Sequence, residues 1–323
     1  MEHKNNHSWV RLSDILKAQR VIADHVHRTP MISSTNLGQQ IGVKLQFKAE
    51  IFQKTGSFKP RGALNKLYHL TMEEKEQGVI TISAGNHAQG LAYAASLMGI
   101  DATVVMPQAA VKSKIKATKS YGAEVILHQT IKDLMAKCRE LQQERDLTLV
   151  HPFDDPFIIA GQGTIGLEIL EDVATTDVVV VPVGGGGLIS GIATAIKSKN
   201  PMVKVIGVEP VGASAMAQSL MQDRVVSLNK IDTIADGLAA PFAGEYTLAH
   251  VKKYVDDLVL VSDEEIIAAL RLILERCKIL TEPAGAAGFA ALLFEKVVIP
   301  KGAQVVCVLS GGNIDRSYLK EIL

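Results

Sequence analysis

DVVVVPVGGGGL, residues 177–188, is the stretch on which the fold class turns. After its first residue, 177–183 is apolar with no polar alternation, the pattern of a strand buried on both faces. Gly184, Gly185, Gly186 and Gly187 follow without a break, and 188–197 continues as an apolar helical run. Strand, glycine turn and helix in that order are the unit of a parallel α/β sheet. The same turn suits an anion. Glycine lets the backbone come close, and the first N–H groups of the helix point at the charge. A strand-to-helix turn does not need four glycines for its own geometry, so a phosphate is implied, without saying whose.

The alternation continues in both directions. Upstream, strands are predicted at 78–83, 102–106, 124–127 and 147–150. Between them lie helices at 86–98, 111–121 and 131–145, the first two closed by Gly99 and Gly122. Downstream, strands at 204–208, 258–261 and 304–309 accompany helices at 264–277 and 285–293. The class is α/β: two lobes with parallel sheets and a cleft between them. Such sheets take ligands beyond the carboxyl ends of their strands.

Charge and composition exclude several function classes. The 323 residues carry 34 Lys plus Arg against 34 Asp plus Glu, so neither nucleic acid nor an anionic membrane is expected as partner. With 47% hydrophobic and 21% charged residues the chain is globular, and its length suggests two domains. Residues 178–196 carry no charge and are long enough to cross a bilayer. Pro182 and the four glycines would break a helix in the middle of that window, which therefore reads as strand, loop and helix. Residues 1–9 hold no apolar signal core. Cys138, Cys277 and Cys307 are far apart and make no CxxC pair, which argues against a zinc ribbon and for a reducing, cytoplasmic setting.

Four further segments carry candidate chemistry. Gly161-Gln-Gly-Thr-Ile-Gly166 matches GxGxxG, but it follows Asp154-Asp-Pro156 instead of a strand, and Pro156 is expected to start a helix running through it. A stronger dinucleotide case joins the tetraglycine loop to Glu209, which ends the next strand where a ribose-binding acid would stand. That keeps a nicotinamide-dependent oxidoreductase open, although a structural Glu at a strand end is commoner. Ser83, Ala84, Gly85, Asn86 and His87 offer backbone N–H groups to a carboxylate, or else form a simple N-cap. Ser310, in Leu309-Ser-Gly-Gly-Asn313, points into the cleft or belongs to a plain Gly-Gly turn. In Thr55-Gly-Ser-Phe-Lys-Pro-Arg-Gly62, Lys59 is crowded by glycine, hydroxyl and the aromatic Phe58. A lysine buried there loses its charge by desolvation and becomes a usable amine, a change worth roughly 4–5 kcal/mol. A phosphate cradle with a neutralisable lysine suggests pyridoxal phosphate, which the spacing alone does not prove.

Five motifs in one order, GSFKPRGA (56–63), SAGNHAQG (83–90), AGQGTIGLEI (160–169), VPVGGGGLISG (181–191) and LSGGN (309–313), resemble those of the serine/threonine dehydratases. This group of fold-type II, tryptophan-synthase-β-like enzymes includes the catabolic threonine dehydratases and the serine racemases. The resemblance spans nearly the whole chain. It implies pyridoxal 5'-phosphate as cofactor, a hydroxy-amino acid as substrate and a threonine/serine ammonia-lyase (dehydratase) reaction. Lys59 would be the catalytic, Schiff-base lysine, with Phe58 beside the ring and Asn86 on the ring hydroxyl. Gly184, Gly185, Gly186, Gly187 and the N–H of Leu188 would hold the phosphate. Ser310 would bond the pyridine nitrogen, with Gly237 and Glu282 near the ring. Ser83, Ala84, Gly85, Asn86 and His87 would hold the substrate carboxylate. Residues 1–70 and 152–323 would make the large cofactor-binding domain, and 71–151 a small domain closing over the substrate. A homodimer or homotetramer is implied, as is a chain without the C-terminal regulatory domain of biosynthetic threonine dehydratases.

Two positions depart from the relatives. Serine racemases carry a serine where this chain has Ala84, and that serine is the acid or base on the far face of the ring. A methyl group transfers no proton, so dehydration with little racemisation is expected. Some members bind a divalent cation through an acid matching Glu209 and a second acid a few residues on. Here that stretch reads Ala213-Ser-Ala215, so no metal is expected, Glu209 being a lone acid that carbonyls and water would have to complete. Serine racemase, hydroxyaspartate dehydratase and a non-catalytic amino-acid-binding protein are the alternatives on this scaffold. Threonine and serine are not ranked, since one methyl group is worth about 1–3 kcal/mol.

Overall fold

A computed structural model describes residues 9–129 and 133–322. Its strands, in chain order, are β1 (Met31–Ser33), β2 (Lys44–Ala49), β3 (Val79–Ile82), β4 (Ala102–Pro107), β5 (Glu124–His128), β6 (Thr148–Leu149), β7 (Val178–Pro182), β8 (Lys204–Pro210), β9 (Asp257–Val261) and β10 (Gln304–Leu309). They form a six-stranded sheet, β1-β2-β10-β7-β8-β9, and a four-stranded sheet, β5-β4-β3-β6. Every pairing is parallel except β1 with β2. The α/β class and the two parallel-sheet lobes are as expected from the sequence.

The apolar runs became the central strands because both faces are covered. All five residues of β7 are buried, and helices pack on either side. In β10, Leu309 stands opposite Ala49 of β2, and Val306 opposite Val179 of β7. The loops after β7 and β10 therefore emerge at one edge of the large sheet. The uncharged window 178–196 is β7, a loop and part of the helix Gly187–Lys199. Among the described residues no helix is long and apolar enough to cross a membrane.

Some boundaries differ. Strand 147–150 shrinks to Thr148–Leu149, and the helix predicted at 264–277 is α-helical over Asp263–Leu272 before a π-helical turn at Ile273–Cys277. The start of the 131–145 helix and residues 1–8 lie outside the described residues; the helix is present at Leu134–Glu144. β1 and β2 were not anticipated.

GxGxxG sits inside the helix Pro156–Asp172, as Pro156 suggested. The Asp155 carboxylate caps that helix by accepting from the N–H groups of Phe157 and Ile158 at 2.8 and 3.1 Å. Its glycines serve close packing. A Cβ on Gly161 would stand 2.5 Å from the Arg61 carbonyl oxygen, one on Gly163 2.9 Å from that of Gly191, and one on Gly166 2.9 Å from that of Ile192. The helices Lys59–Tyr68 and Gly187–Lys199 thus lie backbone to backbone against Pro156–Asp172, so the lysine and the glycine loop share one support.

Candidate active site

The loops after β3, β7 and β10 enclose a cavity of about 680 Å³. Phe58, Lys59, the five residues from Ser83 to His87, the tetraglycine loop with Leu188, Gly237, Glu282 and Ser310 all line it. Segments that are far apart in sequence, each open to a bland reading, converge on one space.

Lys59 is the first residue of its helix. A Cβ on Gly90, in the helix Asn86–Met98, would stand 2.9 Å from the Lys59 Cβ, so the lysine is hemmed in at its root. Its Nζ donates to the Pro152 carbonyl at 2.8 Å and lies 5.0 Å from the centre of the Phe58 ring. Burial pushes its pKa down to about 8, and the charge of Glu282 opposes that fall. The segment before Lys59 is stitched to the one after β10. The Phe58 N–H donates to the Ser310 carbonyl at 3.1 Å, and the Gly312 N–H to that of Gly56 at 2.9 Å. Asn313 Nδ2 donates to the Thr55 carbonyl at 2.7 Å, and Ser57 and Gly311 form an antiparallel bridge. This seam brings Ser310 and Lys59 together.

Gly186 has φ +93°, a conformation that favours glycine, and directly precedes the helix Gly187–Lys199. No side chain caps that helix, so its first N–H groups are left for a ligand. Behind the loop, a Cβ on Gly185 would run into the Phe153 ring, and one on Gly187 would lie 3.0 Å from Phe153 Cα. The N-terminus of Asn86–Met98 is likewise free of a side-chain cap; Ser83 Oγ accepts from the Gly85 N–H at 3.2 Å instead. The simple N-cap reading of this motif does not hold.

Asn86 is fixed at both ends. Its Nδ2 donates to Glu282 Oε1 at 2.6 Å, and its Oδ1 accepts from Asn313 Nδ2 at 2.8 Å. One N–H of the amide stays available to a ligand. Burial raises the Glu282 carboxyl to about 7, while Lys114 and the Asn86 bond pull it down. Gly237 stands beside this pair: a Cβ there would be 3.3 Å from Glu282 Oε1. His87 is held near pKa 3 by burial first and then by the Lys59 charge. Its Nε2 faces the Val150 carbonyl at 3.2 Å, so that nitrogen carries the proton of the neutral ring.

Glu209 lies elsewhere. Both its oxygens cap the helix Ala215–Gln222, accepting from Met216 N–H at 2.9 Å and Ala217 N–H at 2.8 Å. It does not line the cavity, so the ribose role loses its acid. Among the described residues no three His, Cys, Asp or Glu side chains converge as a metal site. Four contributors escaped the sequence reading: the Pro152 carbonyl, the Phe153 ring, and Lys114 with Asp236, an ion pair at 3.2 Å on the cavity wall. Asn313 was given no role of its own, although its place inside LSGGN was a signal.

A part-buried amine that lines one cavity with two uncapped helix N-termini suits a carbonyl-bearing phosphate ester, and the comparisons agree. The model of the family described as pyridoxal-phosphate dependent enzyme matches residues 22–311, and the chain belongs to that family. It is 49% identical over 315 residues to an L-threonine ammonia-lyase of Thermotoga maritima, covering 97% of this chain and 78% of that one. It is 48% identical over 319 residues to a catabolic L-threonine dehydratase of Staphylococcus aureus, covering 97% and 92%. Among solved structures, maize serine racemase superposes with a TM-score of 0.93 at 41% identity, over 97% of this chain and 96% of the other. A tomato (Solanum lycopersicum) threonine deaminase, isoform 2 in its processed form, gives 0.91 at 39% identity, over 96% and 91%. The residues present fit the family's cofactor. Lys59 supplies a neutralisable amine, and the tetraglycine loop supplies a helix N-terminus with no protein anion on it.

Proposed function

We propose that the protein is a threonine/serine ammonia-lyase, removing water from L-threonine or L-serine to give 2-oxobutanoate or pyruvate plus ammonia. The observation that carries this reading is the Lys59 amine, part-buried at the cavity wall, lowered to about 8 and set among the cavity groups just described. When bound, the cofactor supplies an aldehyde for the substrate amine and an electron sink for the pair left at Cα. The chain supplies the rest. The backbone N–H groups of the tetraglycine loop and Leu188 bind the phosphate. Phe58 packs beside the ring, Asn86 offers its free N–H to the ring hydroxyl, and Ser310 bonds the ring nitrogen. The start of the helix Asn86–Met98, with Ser83, Ala84, Gly85 and His87, takes the substrate carboxylate. Lys59 Nζ removes the Cα proton, for which a pKa near working pH is suited. The substrate β-hydroxyl leaves as water, carrying a proton equivalent to the one Lys59 takes from Cα, and a second water later releases ammonia, so that atoms and charge balance.

The division into a large domain (1–70 and 152–323) and a small one (71–151) belongs to the same reading. It is supported by β3, β4, β5 and β6 all falling within 71–151. The family resemblance supports a homodimer or homotetramer, and three unpaired cysteines support a cytoplasmic setting.

The test is a keto-acid and ammonia assay on purified protein with L-threonine, L-serine and threo-3-hydroxyaspartate. Keto acid from threonine or serine, abolished in Lys59→Ala, is expected, with borohydride fixing the cofactor to Lys59. No keto acid from either, or an active Lys59→Ala, removes the reading.

A further inference from the structure

We propose that Arg61 is the positioning residue of the Lys59 amine, gripping the back of the helix whose first residue faces the cavity. The inference rests on the lyase reading of Lys59. Arg61 is fully buried and lines no part of the cavity, yet every nitrogen of its guanidinium is engaged. Nε and Nη2 donate to Glu50 at 2.8 and 2.9 Å, and Nη1 and Nη2 to Glu168 at 2.7 and 3.0 Å. Thr164 Oγ1 and the His27 carbonyl accept at 3.1 and 3.3 Å. Lys48, also fully buried, pairs with Glu168 at 2.6 Å and donates to the Thr29 carbonyl at 2.7 Å. Thr29 Oγ1 in turn donates to Glu50. Two cations and two carboxylates cancel.

The four charges come from β2, the residue just after it, the lysine helix and the helix Pro156–Asp172. Residues two apart on a helix project about 200° from one another. Arg61 therefore holds one side of the helix while Lys59 occupies the other. A planar fork gripping two carboxylates fixes direction as well as distance, which sets the rotation of the helix. Gly90 and Gly161 set its approach to the neighbouring helices. Position of the amine and rotation of the helix are then one quantity.

The test follows the pH midpoint for acylation of Lys59, read at that peptide by mass spectrometry in the full-length protein stripped of cofactor. Kinetics are measured after reloading. In the wild type a midpoint well below that of ordinary lysine is expected; an ordinary one overturns the lyase reading itself. Arg61→Lys keeps the charge but loses the fork. Arg61→Met with Glu50→Gln keeps the buried charges balanced. Either is expected to raise the midpoint by about one pH unit or more, as the amine regains water. Either is also expected to lower kcat ~10-fold or more with KM little changed. Ile266→Ala, a core change in the helix Asp263–Leu272, serves as a control for lost stability and leaves the midpoint in place. A wild-type midpoint in folded Arg61 variants overturns the positioning role alone. So does an equal shift in Ile266→Ala, or failure of both Arg61 variants to fold, which would assign the residue to the scaffold.

Discussion

Ala84 lines the cavity between Ser83 and Gly85, and its methyl group neither gives nor takes a proton. On the proposed reading Lys59 works at one face of the substrate, and Ala84 offers no acid at the other. Elimination is then the open route for serine. Chiral analysis of serine left after partial turnover is expected to show D-serine far below pyruvate. Ala84→Ser is expected to raise the D-serine yield ~100-fold, the lower range of what a positioned acid or base contributes. Racemisation by the wild type at a rate matching pyruvate formation would show that another group protonates that face. The likeness to maize serine racemase is one of fold, and Ala84→Ser tests whether this one side chain sets the outcome.

At the scale of elements, the close helix contacts carry the site. A Cβ on Gly161 would meet backbone, 2.5 Å from Arg61 O and 2.7 Å from Gly62 Cα, and backbone cannot swing aside. Gly161→Ala is expected to destabilise by about 1–3 kcal/mol and to lower kcat, because the lysine helix must shift. Gly302→Ala offers the contrast. Gly302 has φ +79° with open space around it, so the cost is backbone strain of about 1–2 kcal/mol and activity is unchanged. Urea unfolding and kcat on both variants separate the two effects; an unaltered kcat in Gly161→Ala would count against the coupling. The same elements show what was legible in the sequence. β7 and β10 could be read because continuous apolar runs mean strands covered on both faces. β2 could not, because Lys48 and Glu50 read as solvent-facing residues and are instead buried against Glu168 and Arg61. Ser83 to His87, the tetraglycine loop and Ser310 could be read because small and polar residues at strand ends are exceptions to a packed core, whereas Gly237 and Glu282 came only through the family resemblance. Pro152 contributes only a carbonyl, and Lys114 and Asp236 meet through tertiary packing, so neither leaves a local pattern. Glu209 was legible as a strand-end acid, but its true partners are backbone N–H groups that no side-chain motif encodes.

For the molecule as a whole, the junction between the two sheets holds one buried histidine, His87, and two part-buried basic groups, Lys59 and His151. His87 and His151 flank the region of Lys59, and that charge lowers both, after burial, the larger cause. His151 Nδ1 accepts from the N–H groups of Phe153 and Asp154 at 3.3 and 2.8 Å, so its ring is neutral and structural. The folded values are about 3 for His87 and about 4 for His151. An unfolded histidine titrates near about 6.5. Each folded pKa lies below its unfolded value, so this stability is fully present above about pH 6.5 and is lost as pH falls toward the folded values. At about pH 5 the unfolded chain gains one and a half decades of protonation per histidine, about 2 kcal/mol each. Protein stripped of cofactor, with Lys59 as the free amine, is therefore expected to lose about 4 kcal/mol from these two residues between about pH 7.5 and 5. Urea unfolding at both pH values measures the total. His151→Gln, which can keep an acceptor for the two N–H groups, is expected to remove about half of the histidine contribution. A variant that loses as much stability on acidification as the wild type would show that His151 does not titrate between the two states, and that acid sensitivity arises away from this junction.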